Sequence, residues 1–344
     1  MAGAEARVEG TRLDFRGEAQ RLLARVPLVA ALTAGLVVAC LLVESYGSDE
    51  LKTTTITMLI NLVMVVGLYT FIGNSGVLSF GHAGFMAIGA YASALLTIPI
   101  VTKSVLLPSL PPFIADAAFA PVPAALTAAA VAALVAIVIG IPIVRLAGIQ
   151  ASIATFSFLA IVQVVLSNWT DLTRGQMTMT GVPLSIDVIG PMLWAVVAIA
   201  IAYAYRQSRS GFRLRATRED ELSARSLGIS VGRERFLALL VSAFLVGLSG
   251  YLYARLVGSF SPDNFYLEVT FVTLAMLIIG GRNSLAGAIV GPVAVSVLLE
   301  LLRRSEDGST PLTIPSGSRD IVFGALTLAV LVFRPEGLMG RRFS

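Results

Sequence analysis

The chain has 344 residues, of which 56% are hydrophobic and only 13% charged, and its mean hydropathy is +0.85, whereas soluble domains carry roughly 25% charge. A soluble core is excluded, because residues 53–102 include no side chain charged at neutral pH and His82 is the lone basic or acidic group there. One cysteine, Cys40, excludes an intramolecular disulfide and a cysteine metal cluster, one histidine, His82, argues against a histidine-built metal site, and the formal +4 charge reads as a membrane-topology signal rather than a nucleic-acid surface.

Residues 1–25 hold five arginines against four acids, with Leu13, Phe15, Leu22 and Leu23 interleaved, which predicts a cytoplasmic or interfacial lead-in helix. The Val-Val-Ala-Cys run at 37–40 resembles a lipoprotein cleavage box. However, a long mixed-charge stretch precedes it and Leu41, Leu42 and Val43 continue the apolar run, so an uncleaved first span is expected. A helix needs about 20 apolar residues to cross a hydrocarbon core. The chain divides accordingly into ten candidate spans at 26–43, 55–72, 79–98, 122–144, 148–167, 191–205, 236–257, 269–280, 285–302 and 321–333. The segments at 269 and 321 fall short of a full crossing and are read as tilted, extended by polar flanks, or re-entrant, so eight to ten crossings fit. The expectation is an all-α polytopic membrane protein: an N-terminal segment 1–25, a transmembrane domain 26–333 and a cytoplasmic tail 334–344.

Lysine and arginine collect in cytoplasmic loops. Starting inside, the odd segments hold 18 of them and the outer loops six, which predicts that both termini and the 206–235 loop face the cytoplasm. Ala124, Ala128, Ala132, Ala136 and Gly140 recur every fourth residue, and Gly287 and Gly291 add a second small face, both read as close helix contacts.

The longest charged stretch between spans, 206–235, carries its own helix signals. Thr217 is expected to cap a first turn bearing Glu219, Asp220 and Glu221, whose charge suits the positive helix end. Arg225 lies four residues after Glu221 and Gly228 supplies a stop, which predicts a helix of about ten residues, too short to be stable without a partner surface.

The runs SFGHAGFMAIGAYASALL (79–96), TREDELSARSLGI (217–229), GLSGYLYARLVGSFSPDNF (247–265), LIIGGRNSLAGAIVGP (277–292) and RPEGLMG (334–340) resemble the permeases of branched-chain amino-acid ABC importers, specifically the M-type of the paired H and M subunits. The resemblance covers residues 53–340. It implies one half of a heterodimeric pore in the bacterial cytoplasmic (inner) membrane, paired with an H-type permease subunit, driven by two cytoplasmic ABC ATPase subunits and fed by a periplasmic or surface solute-binding protein. ATP would be bound by those partners, with no cofactor in this chain, and Thr217, Glu219, Asp220, Glu221, Arg225 and Gly228 would form the coupling helix. Importer permeases generally show Glu-Ala-Ala followed by glycine, whereas here Glu221 precedes Leu222 and Ser223.

The glycine-rich segment offers Ser79, Gly81, His82, Gly84 and Gly89 as candidates for bordering the translocation route. His82 is read either as a polar group facing that route or as a neutral histidine pinning a bend. An intramembrane serine protease is the remote enzymatic alternative to the Gly-x-Ser-Gly sequence at 73–76. It is disfavoured because His82 lies on the same segment and has no second histidine to assist it. An independent secondary carrier or channel is the other alternative. It would ordinarily place charges at mid-membrane, where this chain has almost none, Arg255 near a span end being the nearest. No G-x-x-x-x-G-K-[ST] sequence occurs, so ATP hydrolysis is expected to reside in another polypeptide and no catalytic site is expected in this chain, while the single cysteine and histidine leave no metal site expected either. Branched-chain amino acids are the cargo the resemblance implies, with urea, amides and aromatic acids carried by related systems.

Overall fold

The computed structural model describes residues 25–146, 148–185, 187–306, 315, 317–334 and 336–339. The expected lead-in helix before residue 25 lies outside that range, as do residues 340–344 of the tail. Among the described residues the chain is helical without a strand, apart from one antiparallel bridge between Met179 and Phe260.

The long helices are α1 (Arg25–Tyr46), α2 (Asp49–Ser75), α3 (His82–Thr97), α6 (Pro121–Ile143), α7 (Gly148–Asn168), α9 (Ile189–Gln207), α12 (Val231–Val257), α13 (Leu267–Gly280), α14 (Leu285–Glu306) and α15 (Ser318–Phe333). Short helices α4 (Ile100–Leu106), α5 (Pro112–Ala115), α8 (Thr170–Thr173), α10 (Arg209–Glu219) and α11 (Glu221–Ser226) lie in the connections. Among the described residues, eight helical stretches are long and apolar enough to cross a membrane, nine if the bent pair α3–α4 counts as one, and α15 adds a shorter apolar stretch, Ile321–Val330. Helix ends extend past the apolar runs because capping and first-turn residues are polar. α2 begins at Ser48, whose hydroxyl accepts from the Leu51 amide at 3.4 Å, with Asp49 and Glu50 in its first turn. α1 continues through Cys40, which is buried.

The expected span at 79–98 needs correction. Its helix starts at His82 and turns by 117° into α4, because Pro99 forces Ile98 out of helical geometry, to ψ 133°. Lys103 then closes the corner. Its ammonium donates to the carbonyls of Leu95 (2.8 Å), Ile114 (3.0 Å) and Ala117, and these bonds allow a lysine only 1% exposed.

α12 is the hub, packed by α2, α3 and α6. The alanine stripe of α6 is fully buried and faces it: a Cβ on Gly247 would lie 2.5 Å from the Ala132 methyl. On its other side, a Cβ on Gly89 would collide with the Gly247 carbonyl, and one on Gly250 with that of Met86. α13 and α14 form a hairpin in which Gly287 and Gly291 meet the α13 backbone. Helices in lipid associate through such backbone proximity, so both small-residue patterns mark real contacts.

Connections alternate between two faces. One gathers the end of α2, the α6–α7 turn, the 206–235 loop, the α13–α14 turn and residues 336–339. Arg218 donates to Gly73 O at 2.8 Å, Arg235 to Leu146 O at 3.4 Å and the Leu338 amide to Ile279 O at 2.7 Å. The opposite face gathers the α1–α2 turn, the start of α9 and the end of α14, where Glu44 pairs with Lys52 at 3.5 Å and accepts from the Val188 amide at 3.2 Å, and Arg303 pairs with Glu50 at 3.0 Å. These groupings coincide with the even and odd loops of the ten-span scheme.

Candidate functional site

The 206–235 loop is two helices rather than one. Ser208 caps α10, accepting from the Gly211 amide at 3.1 Å, and α10 is anchored through Ser210 and Arg213 to Glu234, which is 3% exposed at the start of α12. Thr217 belongs to α10: it is buried, and its hydroxyl donates to Leu214 O at 2.7 Å instead of capping α11. Glu219 ends the same helix. The cap of the second helix is Asp220, three residues later than the sequence suggested, in extended geometry (φ −150°, ψ 109°). Its carboxylate accepts from the amides of Leu222 (2.9 Å) and Ser223 (3.0 Å) and from the Ser223 hydroxyl (2.5 Å). The Ser223 hydroxyl and amide hold the Asp220 carboxyl below its usual range. An aspartate preceding free amides outcompetes a threonine whose hydroxyl can reach a carbonyl behind it. α11 is therefore six residues long rather than ten.

Its end obeys the expected grammar. Gly228 sits at φ +79°, donating to Arg225 O at 2.9 Å while Ile229 donates to Ala224 O at 3.1 Å, the two bonds of a Schellman stop. Arg225 reaches Glu221 at 2.6 Å. The second Glu221 oxygen binds Arg235 at 2.9 Å, and the Arg235 side chain is only 8% exposed. Partial burial works against the Glu221 carboxylate, but the hydrogen bond from Arg225 and the charge of Arg235 hold its pKa below the usual range. Leu222 and Leu227 stand 81% and 80% exposed, an apolar pair flanking a charged helix.

Sequence reasoning missed Arg218 and Arg235. Arg218 joins Glu219 at 2.7 Å, Gly73 O at 2.8 Å and the Asn283 amide oxygen at 3.3 Å, tying α10 to the end of α2 and to the α13–α14 turn. A cavity of about 610 Å³ lies beneath, lined by Thr217, Arg218, Glu221, Arg235 and Asn283. Both arginines stand in the charged run, but the Arg218 partners 145 and 65 residues away and the Leu146 carbonyl 89 residues from Arg235 leave no trace in local spacing.

The glycine-rich segment lies inside the bundle. Ser79 and His82 are 2% and 1% exposed. A Cβ on Gly81 would approach Thr155 O to 2.7 Å and one on Gly84 would approach Phe158 to 3.2 Å, both on α7, whereas Gly89 faces α12. The Ser242 hydroxyl donates to Gly67 O at 2.6 Å and so accepts from His82 Nε2 at 2.8 Å. The imidazole packs against Phe71 and Phe85, joining α3 to α2 and α12. None of the five residues lines the cavity beneath the loop.

Apolar helices whose connections sort onto two faces, with a capped and charge-locked helix presented on one of them, define a multi-pass membrane protein. The chain belongs to the family described as branched-chain amino acid transport system / permease component, whose model matches residues 51–331. It is similar to the high-affinity branched-chain amino acid transport system permease protein LivM of Escherichia coli K12, 27% identical over 91% of this chain and 74% of the relative. It also resembles the LivH permease protein of Salmonella typhimurium LT2, 29% identical over 46% of this chain and 49% of the relative. A third relative is the autoinducer 2 import system permease protein LsrC of Klebsiella pneumoniae, 28% identical over 54% of this chain and 55% of the relative.

Proposed function

We propose that the chain is the M-type subunit of an ABC importer for branched-chain amino acids, pairing with an H-type permease subunit to form the pore in the bacterial cytoplasmic membrane. In this reading the face bearing α10 and α11 is cytoplasmic. α11 docks on one of two ABC ATPase subunits, which bind the ATP, while a solute-binding protein delivers cargo to the opposite face. The observation that carries it is α11 itself: a helix too short to persist alone is capped by Asp220, closed at Gly228 and locked through Glu221 to Arg235, yet it exposes Leu222 and Leu227. Large apolar side chains held out from a charged loop suit a partner cleft. Arg218 carries displacement of the docked element to α2 and the α13–α14 turn. The glycine-rich helix α3 holds α2 and α12 together behind the route, with His82 as a pin.

Gly228→Val strains a left-handed position, and Arg225→Glu sets like charge four residues from Glu221 at a cost of a few tenths of a kcal/mol. Reconstituted complexes bearing either change are expected to assemble but to lose binding-protein-stimulated ATPase and uptake. Normal stimulation and uptake in both would remove α11 from the coupling role. Uptake by the chain alone, driven by an ion gradient, would establish a secondary carrier instead.

A further inference from the structure

On the face opposite α11, α2 and α14 enclose a groove of about 560 Å³. We propose that this groove is the outer half of the solute route and receives a zwitterionic small molecule, a reading that rests on the importer assignment above. On α2, Thr53, Thr57 and Asn61 succeed one another at four-residue spacing along the groove wall, which sets them on one helix face. From Leu62 to Ser75 every residue of α2 is buried, so the groove is blind and ends at Asn61, about 18 Å along the helix from Asp49. That is roughly halfway through a bilayer core of about 30 Å.

Facing this stripe, α14 presents Ser296, Glu300 and Arg303. Such a surface does not suit lipid. The Asn61 side chain makes no hydrogen bond among the described residues, the Ser296 hydroxyl has no partner, and orphaned polar groups cost several kcal/mol in hydrocarbon. The threonine hydroxyls spend their protons on carbonyls, Thr53 on Asp49 O and Thr57 on Thr53 O, each at 2.9 Å, and offer only lone pairs to the groove. At the mouth, Arg303 lies 3.0 Å from both Glu50 and Glu300. A cation between carboxylates matches an ammonium and a carboxylate on one molecule: the ammonium meets Glu50 or Glu300 and the carboxylate meets Arg303. Each contact competes with an existing ion pair, which keeps occupancy weak enough for release.

Single cysteines at Thr57 and Asn61, in a Cys40→Ala background of the assembled importer in proteoliposomes, test this with a cationic, membrane-impermeant thiol reagent added on the groove side. Both are expected to react and the reaction to abolish uptake, while Val297→Cys, apolar and exposed on α14, stays unmodified. Asn61→Leu is expected to lower leucine uptake about tenfold, the worth of one hydrogen bond to a charged group, with stimulated ATPase retained. Protection of both cysteines in the complex, with reaction in the isolated detergent-solubilised chain, would make the groove a buried face between subunits and overturn the proposal. Full uptake by Asn61→Leu would overturn it as well. Reactive cysteines in a complex whose wild type takes up no branched-chain amino acid would instead sink the cargo assignment and support the water-filled groove.

Discussion

Replacing His82 separates packing from polarity, because the structure assigns each a different magnitude. The imidazole is 1% exposed and wedged between Phe71 and Phe85, so truncation to alanine removes a ring's worth of contacts, about 2–4 kcal/mol by analogy with other large-to-small changes in cores. The hydrogen bond to Ser242 contributes less, about 0.6 kcal/mol for a polar contact between membrane helices. Moreover, Ser242 keeps its bond to Gly67 O at 2.6 Å when His82 is gone. The expected order of stability is wild type, then His82→Phe, then His82→Gln, then His82→Ala. The alanine variant should melt about 3–6 °C low by the usual scaling of transition temperature with stability and chain length. Thermal unfolding of the detergent-solubilised complex, with co-purification of partner subunits and uptake in proteoliposomes, measures all three consequences. A stable, assembled His82→Phe complex that transports nothing would refute the pin and put a polar His82 in the route.

Three further outcomes test the architecture. Gly250→Leu should abolish assembly, since even a Cβ there collides with the Met86 carbonyl, and recovery of intact complex would show that α12 does not meet α3 as described. Cysteines at Ser208 and Asp171, in the Cys40→Ala background, should label with an impermeant reagent from the inside and the outside of cells respectively, and the reverse pattern would invert the topology. The Glu221 carboxyl is held below its ordinary pKa of 4.5, so the unfolded loop binds its proton first as pH falls. The Arg235 lock therefore contributes fully above that value and is lost only in stronger acid. Stimulated ATPase should be insensitive to Glu221→Gln in its pH profile between about pH 6 and 8, and a loss of stimulation in wild type that tracks a group in that window and vanishes in Glu221→Gln would contradict this.

The helices were legible because hydropathy dominates their placement, and the alternating loop faces were legible because arginines track them. The alanine stripe of α6 and Gly287 with Gly291 could be read as contacts, since small residues have few other uses at that spacing. What stayed hidden depends on competition or on distance. Thr217 and Asp220 both satisfy the preference for a cap, and only the tertiary seat of α10 decides between them. Pro99 announces a break, yet a 117° corner needs Lys103 to satisfy carbonyls that its sequence position does not point to. The glycines at 81, 84 and 89 permit either an unwound route or close packing, and only their neighbours reveal which helices they meet. The polar face of α2 was overlooked because Thr53 and Asn61 flank and interrupt a run whose mean hydropathy is that of an ordinary span.

α12 runs unbroken for 27 residues, about 40 Å, from the Arg235 lock to the face that bears the groove, and backbone meets backbone along it where α3 crosses. A joint with no clearance cannot slide. The block formed by α2, α3, α6 and α12 is then expected to move as one body, and in the importer proposed above a push on α11 would tilt the whole block against the partner permease subunit. A disulfide welded between α3 and α12 should accordingly leave transport running, whereas one across the subunit seam should stop it.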